Sequence, residues 1–248
     1  MPNAFHYQNT FADPMANCFR NILSTDFVPP FAHKVELWLD AHDTKTHVFN
    51  SEGQLTTWKD KSGKQRNAIR ADASVGSVNL GSINGVKSLS FETASLNLPN
   101  LGIAPPITAF IVFHPNNAAT IGYYPEYLYI DGSQFNPTGR KPMVHGVKPN
   151  PNDIALQFGY YSQSKPILDN APNILKLSTD NEKFLTTVNS TNYSSNIGST
   201  KISATSNGGR IGAGGGFATW GELLIYQTIL PESEIIKIWS YLFAKWRL

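Results

Sequence analysis

The 248-residue chain has one cysteine, Cys18, so no intrachain disulfide can form and the disulfide-stapled frameworks of small secreted modules are excluded. Cys18 is read as a free thiol, with a bridge between two copies as its other use. Charge is also scarce. Only 15% of the residues are Asp, Glu, Lys or Arg and the net charge is +2, too small an excess to point to a nucleic acid or an anionic membrane as partner. No apolar run is long enough to cross a bilayer, so membrane insertion is not expected. The opening residues, MPNAFHYQNTFADPMANCFRNILSTDF, lack a basic stretch followed by an unbroken apolar core and do not read as a signal peptide.

Aromatic residues are plentiful at 12%, and 19 Gly and 16 Pro accompany them, the mix of a chain with short strands and many turns. One all-β domain can reach this length. Residues 1–30 show no clear periodicity and end on Pro29-Pro30, so they read as an arm or linker ahead of a domain at 31–248. Within the arm, Phe5, Tyr7, Phe11, Phe19 and Phe27 are either anchors for a neighbouring subunit or packing for the chain's own domain.

His33 to Leu39 alternates as a half-buried strand, and Asp40 ends it. Trp58 belongs to a strand, and Asp60, Ser62 and Gly63 after it form a tight turn whose side chains bond nearby backbone amides, with a ligand or acid role as the competing use of Asp60. Asn84-Gly85 signals a hairpin. Ile107 to His114 is apolar in both alternating sets and so predicts a strand buried on both faces. Further strands are expected at Tyr127–Ile130, Met143–Val147, Ile154–Tyr161, Asn173–Leu177 and Phe184–Val188, with Asn189 to Asn207 as a loop that has one candidate strand around Ser199 to Ala204. The glycine cluster GGRIGAGGG, Gly208 to Gly216, is followed by a strand and by no Gly-Lys-Ser/Thr, so it is read as structural and not as a phosphate cradle.

The end of the chain is the most informative stretch. Gly221 to Leu230 predicts a strand covered on both faces, and Pro231, Glu232 and Glu234 mark a helix start. Ile235, Ile238, Trp239, Leu242 and Trp246 share one helical stripe with Trp239 as its expected anchor, whereas Lys245 reads as off the stripe and suited to the C-terminal dipole.

G-E-L-L-I-Y, Leu230-Pro231, the acidic helix start and the Lys245-Trp246 ending resemble the C-terminal signature of laminin-G-like domains of the concanavalin A-like lectin/glucanase superfamily. V-E-L-W-L-D-A at Val35–Ala41, T-T-W-K-D-K-S-G at Thr56–Gly63 and Asn67-Ala68 resemble the opening of such domains in phage, viral and bacterial surface proteins. The resemblance implies an all-β, two-sheet antiparallel jelly-roll sandwich with a C-terminal amphipathic helix. It also implies a non-enzymatic structural or binding module, with a virion surface as the setting: a capsid decoration or fibre protein, attached to other protein subunits as part of an oligomer through its arm. A carbohydrate-binding lectin, soluble or at the cell surface, is the alternative, and a glycoside hydrolase a third reading.

Glycosidases of this scaffold need paired carboxylates, typically E-x-D-x-x-E, one to protonate the leaving oxygen and one to attack or activate water. That spacing is missing, and Glu222 stands alone on its strand. Zinc-type His spacing and a G-x-S-x-G nucleophile are missing too, so an enzyme is not expected. Calcium, which related domains hold with one carboxylate and backbone carbonyls, has loop candidates in Asp131, Asp153 and Asp180, each of which also serves as a turn residue. Glycan stacking has candidates in Tyr123, Tyr124, Tyr160 and Tyr161, with core or interface packing as the other use.

Overall fold

The computed structural model describes residues 28–71, 76–115, 126–130, 142–146, 153–158, 161–166, 171–180, 182–189, 191–196, 208–212 and 218–248. In chain order its strands are β1 (Val35–Asp40), β2 (His47–Phe49), β3 (Leu55–Trp58), β4 (Ala68–Arg70), β5 (Ser77–Ile83), β6 (Val86–Glu92), β7 (Leu96–Asn97), β8 (Ile107–Pro115) and β9 (Glu126–Tyr129). They continue as β10 (Pro142–Gly146), β11 (Asp153–Phe158), β12 (Tyr161–Pro166), β13 (Asn173–Thr179), β14 (Lys183–Val188), β15 (Thr191–Asn196), β16 (Arg210–Ile211) and β17 (Ala218–Tyr226), and helix α1 (Glu232–Trp246) follows.

The strands form two antiparallel sheets. One runs β15-β14-β13-β8-β17-β6-β5 with β1 also paired to β17, and the other runs β12-β11-β10-β9-β16-β7-β4-β3-β2. This is the two-sheet sandwich with a C-terminal helix that the sequence predicts. Its centre is the β8–β17 pair, because both strands carry apolar residues in both alternating sets and can be covered on both faces. On the face toward the second sheet, Trp220 packs against Phe91 and Phe113 at ring distances of 6.3 and 6.0 Å. On the other face, Phe110, Val112, Glu222, Leu224 and Tyr226 lie under α1, as the cross-strand pairs Val112–Glu222 and Phe110–Leu224 require.

Gly221 marks a register shift in β17 and lets α1 approach. A Cβ there would lie 3.0 Å from Val112 Cγ1 and 3.1 Å from the Trp246 ring, so any side chain would require these neighbours to give by a few tenths of an ångström. The start of α1 follows from Pro231, whose extended backbone precedes the helix and whose carbonyl accepts the Glu234 and Ile235 N–H groups at 2.9 and 3.1 Å. At the other end Arg247 adopts left-handed φ of 54°, and the Asn84 amide donates to the Trp246 and Arg247 carbonyls at 3.2 and 3.0 Å. The β5–β6 hairpin, turning on Asn84 and Gly85 with φ of 48° and 79°, thereby caps a helix more than 160 residues further along the chain.

Several expectations need correction. The last strand spans Ala218–Tyr226 instead of ending at Leu230, and Ile229 is 39% exposed. The Asn- and Ser-rich stretch expected to be a loop contains β15, because Thr191–Asn196 pairs with β14 and extends the sheet. Expected as one strand, Ile154–Tyr161 is interrupted: β11 ends at Phe158 and Tyr161 opens β12. Trp246, not Trp239, is the fully buried anchor of α1, while Trp239 is partly buried and stacks on Phe243 at 5.5 Å.

Candidate functional site

The T-T-W-K-D-K-S-G motif folds as its composition predicts. Asp60 accepts the backbone N–H groups of Trp38, Ser62 and Arg66 at 3.0, 2.9 and 3.0 Å, and its own N–H donates to Asn67 Oδ1 at 2.9 Å. One carboxylate therefore ties the turn after β3 to the middle of β1, and the motif is accounted for by structure.

Glu222 does not stand alone. It is the cross-strand partner of Asp40, and Lys245 bridges them with Nζ 2.8 Å from Asp40 Oδ1 and 2.8 Å from Glu222 Oε2. Lys245 is the clearest correction to the helix reading, since its side chain is buried instead of facing solvent. Glu222 Oε1 accepts from Trp38 Nε1 and the Tyr241 hydroxyl, both at 2.8 Å, and Oε2 accepts from Lys245 Nζ and from Trp246 Nε1 at 3.0 Å. Four donors occupy the roughly four lone-pair sites of a carboxylate. The three Lys245 protons are likewise taken by Asp40, Glu222 and the Tyr241 oxygen. On the outer side of Asp40, Lys61 reaches it at 3.0 Å and Asp43 at 2.9 Å, with its ammonium 4.3 Å from the Trp38 ring centroid.

The electrostatics divide the two carboxylates. Burial would lift the Asp40 carboxyl, but Lys245 and Lys61 together hold it below its usual range. For Glu222 burial outweighs the attraction of Lys245, and the carboxyl is pushed up. A glycosidase also sets two carboxyls apart in this way, yet it keeps room for a sugar between them. Here Asp40, Glu222 and Lys245 side chains are 2%, 1% and 0% exposed beneath α1, so the cluster fastens the helix to β1 and β17.

An open concavity lies on the same outer sheet face, between α1 and the β13–β14–β15 edge. It is a cleft of about 280 Å³, with Lys176, Thr187 and Asn192 on its floor and Glu232, Trp239 and Phe243 along the helix wall. This volume is near the lower end of ligand pockets, about 300 Å³. Sequence reasoning missed the cleft, although a lone lysine within the apolar strand Asn173–Thr179 was a signal for it.

Of the residues singled out from sequence, Asp180 lies in the β13–β14 turn, where it accepts the Glu182 and Lys183 N–H groups, each at 2.8 Å. Asp153 opens β11 opposite Pro166, while Tyr161 opens β12 opposite Phe158, so the β11–β12 hairpin puts these two at opposite ends. Asp180 lies in the turn between two strands of the other sheet. Tyr123, Tyr124, Tyr160, Asp131 and the arm residues Phe5, Tyr7, Phe11, Phe19 and Phe27 lie outside the described residues. Among the described residues no cluster of three His, Cys, Asp or Glu side chains is placed to hold a metal ion.

No family profile and no curated protein sequence matches the chain. Solved structures do match in fold. The botulinum neurotoxin serotype D binding domain aligns with a TM-score of 0.60 at 11% identity, over 84% of this chain and 51% of that one. Trypanosoma rangeli sialidase in complex with sialic acid aligns with a TM-score of 0.57 at 13% identity, over 92% of this chain and 37% of that one. Domain 4 of AbnA, a GH43 extracellular arabinanase from Geobacillus stearothermophilus, in complex with arabinotriose, aligns with a TM-score of 0.54 at 13% identity, over 83% of this chain and 98% of the domain. The chain thus spans about half of the neurotoxin structure and little over a third of the sialidase. At these identities the likeness establishes a β-sandwich fold.

Proposed function

We propose that this chain is a laminin-G-like, non-enzymatic sandwich that binds saccharides. The observation that carries the reading is the sealed cluster: among the described residues, the pair of carboxylates brought together under α1 is saturated with donors and withdrawn from solvent, while a cleft along the same helix stays open. The neurotoxin binding domain and the arabinotriose-bound AbnA domain are sandwiches of similar fold and fit a binding module by analogy. Presenting the purified protein to an array of glycans, with size analysis of each bound oligosaccharide, tests the reading. Retention of at least one glycan class without shortening is expected; cleavage, or no retention of any glycan, would overturn it.

The setting we propose is an assembly surface, with a virion as the specific case and residues 1–30 as the attachment. What favours it is that the chain is already packed on the sandwich at Pro29, which is buried, and that the Tyr226 hydroxyl donates to the Pro30 carbonyl at 3.1 Å. The segment rich in Phe and Tyr lies ahead of that tether. Copurification with particles of the full chain, but not of a chain beginning at Val28, is the expected result.

A further inference from the structure

Lys176 sits in the middle of β13, opposite Phe110 on one side and Thr187 on the other, and so projects from the sheet face that α1 covers. Lys176 is 7% exposed, and its ammonium, which faces the open cleft, makes no hydrogen bond or ion pair with a described side chain. A cation drawn this far into the fold keeps only part of its hydration, through the open cleft, and the loss is costly. Burial accordingly lowers the ammonium's affinity for its proton, against an opposing pull from Glu232 on the first turn of α1. In Lys245 the same sheet face holds a buried lysine with all its donors satisfied by the protein, whereas the Lys176 ammonium faces the open cleft.

The rest of the lining is chemically mixed in a specific way. Thr187 donates its hydroxyl to Asn192 Oδ1 at 2.6 Å, which orients the Asn192 carbonyl inward and leaves the amide N–H₂ as a donor at the cleft edge. Trp239 and Phe243, stacked at 5.5 Å with rings 29° apart, give an aromatic wall that the core covers only in part. Glu232 supplies an acceptor at the rim, and Ser240, whose hydroxyl donates to the Ile236 carbonyl, keeps lone pairs free to accept.

We propose that this cleft is a subsite for a carboxylate-bearing sugar unit of the hexuronate kind, with its carboxylate on Lys176 and the Asn192 amide. Its apolar ring face lies on the aromatic wall, and its hydroxyls reach Glu232 and Ser240. A single anionic group is what one cation and one amide can satisfy, and the ring face and hydroxyls match the other two kinds of lining. This inference rests on the saccharide-binding reading and names the ligand class for one site.

The test is titration of the full chain with D-glucuronate and with D-glucose, followed by calorimetry and by intrinsic tryptophan fluorescence, in wild type, Lys176→Met and Asn192→Ala. Glucuronate should bind, glucose should bind about tenfold or more weakly, and Lys176→Met should weaken glucuronate by about tenfold or more, as loss of a charge-assisted hydrogen bond does. Lys176→Met should melt no lower than wild type, because it replaces a partly dehydrated ammonium with an apolar group of similar length; a lower melting point with unchanged glucuronate binding would mark the lysine as structural and overturn the proposal. Should Lys176→Met fail to fold, the Asn192→Ala titration decides in the same sense. If the array finds neutral glycans bound while glucuronate binding is absent or indifferent to Lys176, this proposal fails and the module reading stands. If no glycan of any class binds, both fail together.

Discussion

Asp40 and Glu222 close the β1–β17 ladder as its last cross-strand pair, and one lysine from α1, Lys245, lies 2.8 Å from each of them. Removing one partner from such a buried arrangement leaves an uncompensated charge, which costs about 3–5 kcal/mol. Lys245→Met should therefore lose stability on that scale in urea unfolding. The triple variant Asp40→Asn, Glu222→Gln, Lys245→Met should recover most of the loss, because no buried charge remains in the cluster. A triple variant as unstable as the sum of three single losses would contradict a mutually compensated cluster.

The same cluster sets the pH response. Asp40 has its carboxyl held low in the folded chain, so the unfolded chain takes up the proton first as pH falls, and this stabilisation is lost below about pH 4 as the depressed value is passed. Glu222 works in the opposite sense: its carboxyl is raised, so the unfolded chain ionises first and stability declines as pH climbs from about 4 through the raised value. Urea midpoints measured across the acid range should show a shallower acid-side loss in Asp40→Asn and a smaller decline above about pH 4 in Glu222→Gln. Unchanged slopes in both variants would disprove the assignment.

For the helix anchor, Trp246→Ala should cost about 3–5 kcal/mol, as other buried large-to-small changes do, and Trp239→Ala should cost clearly less because that ring is only partly covered. Lys237→Ala, on the exposed side of α1, is the control and should change little. Thermal or urea denaturation ranks the three, and Trp239→Ala as the costliest would reverse the packing described here.

The fold was largely legible because its central elements have unambiguous periods. Ile107–His114 and the G-E-L-L-I-Y stretch are apolar in both sets, and Asn84-Gly85 has the chemistry of a tight hairpin, so local pattern and tertiary role agree. Asp60 was legible for the same reason, as its partners lie mostly within a few residues. The charge cluster was not, because Asp40, Glu222 and Lys245 lie far apart in sequence and meet only through pairing and helix docking. A signal did exist: Lys245 lies three residues after Leu242 and seven after Ile238, on the buried stripe, and Glu222 is a lone charge in a strand buried on both faces. β15 was missed because its Thr, Asn and Ser composition reads as loop, and tertiary pairing with β14 overrides that preference.

A chain that begins at Val28 keeps the buried Pro29 and the Tyr226–Pro30 hydrogen bond, so it should unfold cooperatively with nearly the melting temperature of the full chain. Starting at Phe31 removes that hydrogen bond and should cost about 1 kcal/mol more. Differential scanning calorimetry of both truncations separates the two cases, and loss of cooperative unfolding in the chain from Val28 would make the first segment part of the sandwich.

The central claim is that the sandwich holds saccharides without cleaving them. Its most direct test is to incubate a glycan retained on the array, in solution, with wild type and with Glu222→Gln, and to measure both the bound fraction and the chain length of the recovered oligosaccharide. The account predicts comparable binding by both proteins and recovery of the oligosaccharide at its original length. Shortened product with wild type, abolished by Glu222→Gln, would contradict it.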